Sequence, residues 1–183
     1  MKINIVVYGC DNTGKSTLCH QLVDTLTANS IPAYYIKSLG PASLPNQVAF
    51  VSKNLSQVDR FEVNIFDRFP IIEEEICGSI LRNHNTFSSF PDFIDRALNQ
   101  IALFIHCDPG LNKITDWGSR EQMEGIKENA IKLNEAYGAY KVIHGLEART
   151  IEYNFLKDSW QDIAKLLLDY CALLNKEVTD EHN

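Results

Sequence analysis

The sequence has 183 residues, of which 45% are hydrophobic and 22% charged, and its formal net charge is −7. This length and balance are typical of one globular domain with a full core and exclude a disordered chain. The negative charge argues against broad, non-specific binding to nucleic acid. The five cysteines are scattered and form no C-x-x-C pair, which indicates reduced thiols in a cytoplasmic protein. The histidines lack the spacing of metal ligands. The apolar N-terminal run is too short to span a membrane, so we expect no membrane partner.

The first predicted elements are a strand at residues 3–8, a glycine-containing loop and a helix from Thr17 onward. The strand is a β-branched run without helical period, whereas leucines recur every fourth residue along the helix. The loop between them, GCDNTGKS, fills every fixed position of the pattern G-x-x-x-x-G-K-[ST]. Because a strand precedes the pattern and a helix follows it, we interpret the loop as a phosphate-binding loop and not as a chance glycine turn.

This loop is suited to holding the phosphates of a nucleotide, because its glycines let backbone N–H groups point inward at a helix N-terminus. We expect Lys15 to reach the β- and γ-phosphates and to act in catalysis, and the Ser16 hydroxyl to hold Mg²⁺. Asp11 is a costly charge in such a loop, and it has two open interpretations, contact with an acceptor hydroxyl or a stabilising Asx turn. The residues predicted to bind the nucleotide are Gly9, Cys10, Asp11, Asn12, Thr13, Gly14, Lys15, Ser16 and Thr17.

Beyond the loop, strands and helices alternate along the chain. The further predicted strands occupy residues 33–37, 62–66, 101–107 and 141–144, and the further helices occupy residues 46–59, 71–82, 91–100, 120–140 and 154–176. This alternation predicts an α/β fold of the P-loop NTPase type, with a parallel sheet of about five strands covered by helices on both faces. We expect a single domain over residues 1–176, with a lid-like segment at about 108–120 and a polar tail at 177–183.

Polar stretches follow several of these strands, at the sheet edge where ligands bind in such folds. We expect Asp67 to hold Mg²⁺ with Ser16 or to take a proton from an attacking hydroxyl, and Arg68 to clamp an acceptor phosphate. Arg120 ends the lid-like segment, where it can reach the transferring phosphate; the alternative is a surface pair with Glu124.

Two further side chains are candidates for binding the acceptor. Lys37 ends the second strand, and Phe69 directly follows Asp67 and Arg68, where its ring can line an acceptor pocket. The acidic run at residues 73–75 lies near a helix N-terminus, which the helix dipole favours, and we expect it to be a solvated face.

These motifs together resemble the thymidylate kinase family of nucleotide kinases. The loop GCDNTGKST has that family's acid at the third loop position, FDRF at residues 66–69 resembles its D-R-[YF] motif, and CDP at residues 107–109 resembles its turn into the lid. The order of motifs matches over nearly the whole chain. The resemblance implies an ATP- and Mg²⁺-dependent kinase with a thymidine-like acceptor.

The departures from that family all fall on the acceptor side. The loop after the second strand reads KSLGP and lacks the family's arginine, the stretch at residues 70–78 replaces the run over the thymine, and the lid keeps only Arg120. Short bacteriophage members of the family phosphorylate the hydroxymethyl group of 5-hydroxymethyl-deoxyuridine in DNA. An alcohol acceptor needs a base, for which Asp67 is the candidate, and fewer arginines. We therefore favour this activity, in the host cytoplasm if the protein is viral.

Two alternatives remain open at the level of sequence. One is a deoxynucleoside monophosphate kinase that makes dTDP from dTMP, a free deoxynucleotide, because the net charge is unfavourable for holding a DNA backbone. The other is a non-catalytic nucleotide-binding module, which would turn ATP over only slowly. A homodimer is one of the expected oligomeric states.

Overall fold

Five parallel strands form one sheet in the order β2-β3-β1-β4-β5. The computed structural model describes residues 1–38, 40, 42–56, 61–116 and 124–180, with side chains up to residue 174. The strands are β1 (Lys2–Tyr8), β2 (Ala33–Lys37), β3 (Glu62–Asp67), β4 (Leu103–Cys107) and β5 (Thr150–Tyr153). A five-stranded parallel sheet was expected from the alternating pattern, and this prediction is confirmed.

Helices connect the strands and cover the sheet. They are α1 (Lys15–Ala28), α2 (Leu44–Leu55), α3 (Pro70–Glu73), α4 (Ser79–Arg82), α5 (Pro91–Asn99), α6 (Leu111–Ile114), α7 (Ala130–Ile143) and α8 (Trp160–Asp180). A π-helical turn at Glu74–Gly78 joins α3 to α4, and a 3₁₀ turn at Glu147–Arg149 precedes β5. In the described part of the chain, no helix has the length and apolar character needed to cross a bilayer.

The two faces of the sheet bury separate apolar clusters because successive strand residues point to opposite sides. Ile3, Ile5 and Val7 of β1 pack with α1 and α8 on one face. Val6 and Tyr8 pack on the other face with α2, α5, α7 and the π turn. This burial on both sides explains why the inner strands β1 and β4 are nearly continuous apolar runs without alternation.

The order of the strands places the phosphate loop at the centre of the sheet. Since β1 lies between β3 and β4, strands that follow β1 in the chain lie on both sides of it in the sheet. Ligands bind at such points, where the strand order reverses. Val7 near the end of β1 pairs in register with Asp67 at the end of β3, and Lys37 of β2 pairs with the same aspartate. The fold therefore brings together three of the predicted polar stretches.

The C-terminal third differs most from the sequence-based expectation. The predicted last strand at residues 141–144 is wrong, because α7 runs to Ile143 and the strand beside β4 is β5. Val142 and Ile143 are 61% and 70% exposed, so this β-branched pair ends a helix at the surface. The final helix begins at Trp160 and not at residue 154, since Asn154 starts a turn that Asp158 closes.

Helix boundaries also differ elsewhere. Within the predicted lid-like segment, α6 forms one short helical turn at Leu111–Ile114. A helix was predicted from residue 120, whereas the described residues 124–129 form turns and α7 begins at Ala130. Residues 117–120 of the lid-like segment, the end of the helix predicted at 46–59, and residues 181–183 of the tail lie outside the described residues.

Candidate active site

The phosphate loop has a backbone that only particular residues can adopt. Gly9 has φ +136°, and a Cβ at that position would lie 2.4 Å from the carbonyl oxygen of Cys107 on the neighbouring strand. Gly14 has φ +79° and caps the N-terminus of α1 without a side-chain hydrogen bond to the helix. Because glycine has no side chain that could cap the helix, the first N–H groups of α1 receive no side-chain cap from this residue. Uncapped N–H groups at a helix N-terminus are the arrangement that binds phosphate oxygens.

Lys15 is buried inside the loop. Its ammonium donates to the carbonyl oxygen of Cys10 and to Thr13 Oγ1, the latter at 3.1 Å, and the side chain as a whole is 5% exposed. Burial lowers the pKa of Lys15, and the nearby positive charge of Arg68 lowers it further. The ammonium is therefore a poorly solvated charge, for which an incoming phosphate is a favourable partner.

Asp67 is held by two hydroxyl groups at the end of β3. Ser16 Oγ and the Tyr35 hydroxyl both donate to Asp67 Oδ2, at 2.6 and 2.7 Å, and Asp67 is almost fully buried. Burial and the bond to Asp67 raise the pKa of Tyr35 to about 12, so this tyrosine stays a neutral donor. The ring of Tyr35 stacks on His20 with ring centroids 4.3 Å apart.

The pair formed by Ser16 and Asp67 has the oxygen ligands that Mg²⁺ prefers. No cluster of three His, Cys, Asp or Glu side chains suited to a metal ion occurs among the described residues. A Mg²⁺ ion here would thus take its remaining ligands from water and nucleotide phosphates, as it usually does in phosphate-transferring sites. The donor set fits this ion, with Ser16 and Asp67 as the residues that would hold it.

Arg68 lies between two carboxylates. Its Nη2 donates to Asp11 Oδ1, and its Nη1 donates to Glu73 Oε2 at 2.6 Å. Burial alone lowers the pKa of Arg68, but Glu73 and Asp11 outweigh it and raise that pKa well above its ordinary value. Arg68 has φ +71°, a strained conformation for a residue with a side chain, and such strain is common at functional sites.

A buried tyrosine extends this ion pair into the core. The Tyr137 hydroxyl on α7 donates to Glu73 Oε1 at 2.9 Å, and the ring is fully buried. Burial and the adjacent Glu73 carboxylate raise the pKa of Tyr137 well above its ordinary value, so Tyr137 remains protonated. Tyr137, Glu73, Arg68 and Asp11 therefore form one continuous hydrogen-bonded chain that ends at the phosphate loop.

A small cavity of about 10 Å³ opens beside this chain, with room for about one water-sized group. Asp11, Arg68 and Tyr137 supply its polar wall. Apolar and thiol side chains from the phosphate loop, the π turn, α6 and the region of α7 complete it, and these are Cys10, Cys77, Ile114, Ile126, Ala130 and Leu133. The cavity has room for a hydroxyl group, and the side chains of Asp11 and Arg68 each remain about one quarter exposed.

The acidic run at residues 73–75 is not a solvated face, so that prediction is wrong. Glu74 is almost fully buried and accepts hydrogen bonds from Gln47, Arg82 and Thr86. Burial opposes its charge, but these three donors lower the pKa of Glu74 below its ordinary value. Glu75 contacts His144 Nε2 at 2.7 Å. The π turn directs the three consecutive carboxylates to three different partners.

The other predicted site residues have different surroundings. Lys37 is exposed at the carboxyl end of β2. Phe69 is fully buried and packs edge-to-face against Phe66 with centroids 5.3 Å apart, so its ring lies in the core and does not line the cavity. Ser16 and Thr17 are exposed at the start of α1. Arg120 lies outside the described residues.

Sequence reasoning did not identify Tyr35 and Tyr137 as part of the site. Tyr35 lies on β2, 32 residues before its partner Asp67, and Tyr137 is 64 residues from Glu73. Neither tyrosine belongs to a local motif. Their roles depend on strand order and helix packing, for which a single sequence carries no direct signal.

Comparison with solved structures places this geometry in a known architecture. The YorR protein of Bacillus subtilis, solved in complex with phosphorylated GDP, superposes with a TM-score of 0.68 at 16% identity, over 94% of this chain and 98% of that one. The chain has the P-loop NTPase fold. Thymidylate kinase from Candida albicans superposes with a TM-score of 0.59 at 14% identity, over 95% of this chain and 92% of that one. No protein-family model and no curated protein matches the sequence.

Proposed function

We propose that the protein is an ATP-dependent kinase that phosphorylates an alcohol, the 5-hydroxymethyl group of 5-hydroxymethyl-deoxyuridine in DNA. The observation that carries this proposal is the position of Arg68 between Asp11 and Glu73. The phosphate loop, with Lys15 and the Ser16–Asp67 pair, supports the ATP side of the reaction. The charges around Arg68 on the acceptor side support an alcohol as the acceptor and not a phosphate.

The charges around Arg68 disfavour a phosphate acceptor. One guanidinium is shared by two carboxylates, so this cluster of three side chains carries a net charge of about −1. A phosphate monoester brings nearly two further negative charges, and each pair of like charges 4 Å apart repels by about 4 kcal/mol at an effective dielectric constant of about 20. A hydroxyl group brings no charge. It also has the size that the cavity beside Asp11 admits.

On the donor side, the residues of this chain orient and neutralise the triphosphate. Backbone N–H groups of residues 9–17 wrap the phosphates, and Lys15 exchanges its bond to the Cys10 carbonyl for a phosphate oxygen. When bound at Ser16 and Asp67, Mg²⁺ supplies charge neutralisation for the β- and γ-phosphates. Arg120 is the proposed second cation for the transferring group, brought there by the lid-like segment.

A base within DNA is the proposed acceptor because the features that read a free thymidylate in the resembling family are replaced in this sequence. The loop after β2 offers Lys37 and no arginine, and Lys37 is exposed at the acceptor edge of the sheet. An exposed lysine at this place suits a contact with a backbone phosphate next to the modified base, which positions the strand without reading its sequence.

A single labelled-ATP assay tests this proposal. DNA that contains 5-hydroxymethyluracil, the free 5-hydroxymethyl-deoxyuridine nucleoside, dTMP and dUMP are offered separately at equal acceptor concentration, with thymine DNA of the same sequence as the matched control. We expect label on the hydroxymethylated DNA and none on thymine DNA. Faster transfer to dTMP than to any alcohol would overturn the proposal, and ATP hydrolysis without transfer to any acceptor would contradict kinase activity itself.

A further inference from the structure

We propose that Asp11, and not Asp67, accepts the proton of the attacking hydroxyl, and that Asp67 serves only the Ser16 side of the site. This inference rests on the proposed alcohol acceptor and assigns a catalytic role to a residue within the phosphate loop. The D-R motif alone would give Asp67 two tasks, to hold the metal ion and to accept the proton. In this proposal Asp67 keeps the first task and Asp11 takes the second.

Asp67 is already committed to the nucleotide side. Both hydroxyl donors, Ser16 and Tyr35, meet the same oxygen, Oδ2, and the carboxylate is 2% exposed. Ser16 lies in the first turn of α1, the helix whose N-terminus is proposed to bind phosphates. Asp67 is not among the residues that line the cavity beside Arg68. Its position suits the orientation of Ser16 and a metal ion more than contact with an acceptor.

Asp11 has the free oxygen and the location that a proton acceptor needs. Its Oδ1 is held by Arg68 Nη2, whereas Oδ2 has no hydrogen-bond partner among the described residues. The side chain lines the cavity and is about one quarter exposed. Because Asp11 is part of the loop that wraps the transferring phosphate, a hydroxyl bonded to Oδ2 lies close to that phosphate.

Glu73 is the other carboxylate beside Arg68, but both of its oxygens are engaged. Oε2 accepts from Arg68 and contacts Cys77 Sγ, and Oε1 accepts from the Tyr137 hydroxyl. Glu73 does not line the cavity. Glu73 and Tyr137 are therefore positioning residues, which fix the plane of the Arg68 guanidinium and through it the orientation of Asp11.

The chemical step balances with these groups. The acceptor oxygen forms a new bond to the γ-phosphorus, and the bond from that phosphorus to the β–γ bridging oxygen breaks. The electron pair of the broken bond leaves on ADP, and the hydroxyl proton passes to Asp11 Oδ2. Arg68 stays protonated throughout, and its bond to Oδ1 holds the Asp11 carboxylate in place while Oδ2 takes the proton.

Paired variants separate the two carboxylates. We expect Asp11→Asn to lower kcat with the alcohol acceptor about 10²-fold or more, while calorimetric ATP affinity and the Mg²⁺ concentration for half-maximal rate stay unchanged. We expect Asp67→Asn to raise that Mg²⁺ concentration and to recover activity in part when Mg²⁺ is added. Asp24→Asn, at an exposed position of α1, is the charge-matched control and should behave like the wild type.

Chemical rescue distinguishes a proton acceptor from a residue that only holds Arg68. The shorter Asp11→Ala side chain leaves space beside Arg68, and added formate should restore part of its turnover in proportion to concentration. Formate should not rescue Asp67→Ala. Formate rescue of Asp67→Ala alone, or an Asp11→Asn variant with wild-type kcat, would overturn the assignment of Asp11. If the wild type phosphorylates no alcohol at all, the proposed function fails instead. The wild type is therefore assayed before any variant is made.

Discussion

Lys15 is buried in the loop against the Cys10 carbonyl and Thr13, groups that a bound phosphate would replace as partners under the proposed function. We predict that Lys15→Met reduces phosphoryl transfer at least 10²-fold, because loss of one fixed cation in a water-excluded site costs about 3 kcal/mol of transition-state stabilisation. Steady-state rates with saturating ATP and the preferred acceptor measure this. Lys165→Met, an exposed lysine on α8, is the matched control and should leave the rate unchanged.

The same variant has a predicted effect on stability that depends on pH. Burial lowers the pKa of Lys15 in the folded protein, so the unfolded chain binds more protons in the range between this pKa and the ordinary lysine value of 10.5. The stability penalty from Lys15 is therefore full below the lowered pKa of the folded state and is relieved as pH rises from that pKa toward 10.5. Lys15→Met should unfold at a higher temperature than the wild type at pH 7, and this difference should shrink in alkaline buffer. A variant that is less stable than the wild type at pH 7 would contradict the burial of an unfavourable charge.

Tyr137 and Tyr140 lie one helical turn apart on α7, and both rings are buried, but only one hydroxyl has a described partner. The Tyr137 hydroxyl donates to Glu73, whereas that of Tyr140 has no hydrogen-bond partner in the described part of the chain. We predict that Tyr137→Phe destabilises the fold by about 1–2 kcal/mol and lowers kcat, because Glu73 loses a donor and Arg68 loses its fixed plane. Tyr140→Phe should cost less or stabilise. Denaturant unfolding of both variants measures the difference, and equal losses would refute the role of the Glu73 bond.

The residues of the site were predictable where they belong to a local motif. The pattern around Gly9 to Ser16 specifies its own backbone, and Asp67 and Arg68 follow a strand that must end beside it. Glu73 was assigned to solvent because the identities of three adjacent glutamates do not reveal the π turn that separates their directions. Tyr35 and Tyr137 were missed because their partners are distant in sequence.

At the scale of elements, the helix from Pro70 to Arg82 depends on its π-helical turn. Gly78 closes this turn, and a Cβ there would lie 2.5 Å from the backbone carbonyl oxygen of His84. We predict that Gly78→Ala destabilises the protein by about 1–3 kcal/mol, because a backbone clash cannot be relieved by a rotamer change. It should also lower kcat by displacing Glu73.

Gly138→Ala is the matched control for this substitution. Gly138 lies within α7, where the nearest atom to an added Cβ is His106 Cε1 at 3.9 Å, an ordinary contact distance. This variant should gain up to about 1 kcal/mol from helix propensity. Thermal unfolding of both variants tests the pair, and similar stability for the two alanines would show that the π turn tolerates a side chain.

Strands and helices could be predicted from the sequence where the pattern of apolar residues matches the pattern of burial. The strands β1 and β3 are largely buried in the sheet and β2 is a partly exposed edge strand, and the predicted bounds of all three agree with the structure to within one residue. The last strand was misplaced because two β-branched runs, at residues 142–143 and 150–151, compete for the same assignment. Only the pairing of β5 with β4 distinguishes them, and that pairing is a tertiary fact.

For the whole molecule, the parallel sheet explains why one edge carries all the proposed chemistry. The ends of β1, β2 and β3 bring the phosphate loop, Lys37 and the Asp67–Arg68 pair to that edge, and α7 adds Tyr137 from the side. The chain as a whole carries a net charge of −7, so a DNA acceptor would have to be held by local contacts and not by a general positive field. The identity of the acceptor consequently depends on local contacts at this edge of the sheet.

The most direct measurement is the chemical position of the transferred phosphate. The protein is incubated with ATP and an oligonucleotide that contains 5-hydroxymethyluracil, the product is digested to nucleosides, and mass spectrometry with ³¹P NMR locates the phosphorus. We predict a phosphomonoester on the exocyclic methylene oxygen of the modified base, absent when thymine replaces that base and strongly reduced in Asp11→Asn. Phosphate found on a terminal 5′-phosphate or a sugar hydroxyl, with the base hydroxymethyl group unmodified, would contradict it.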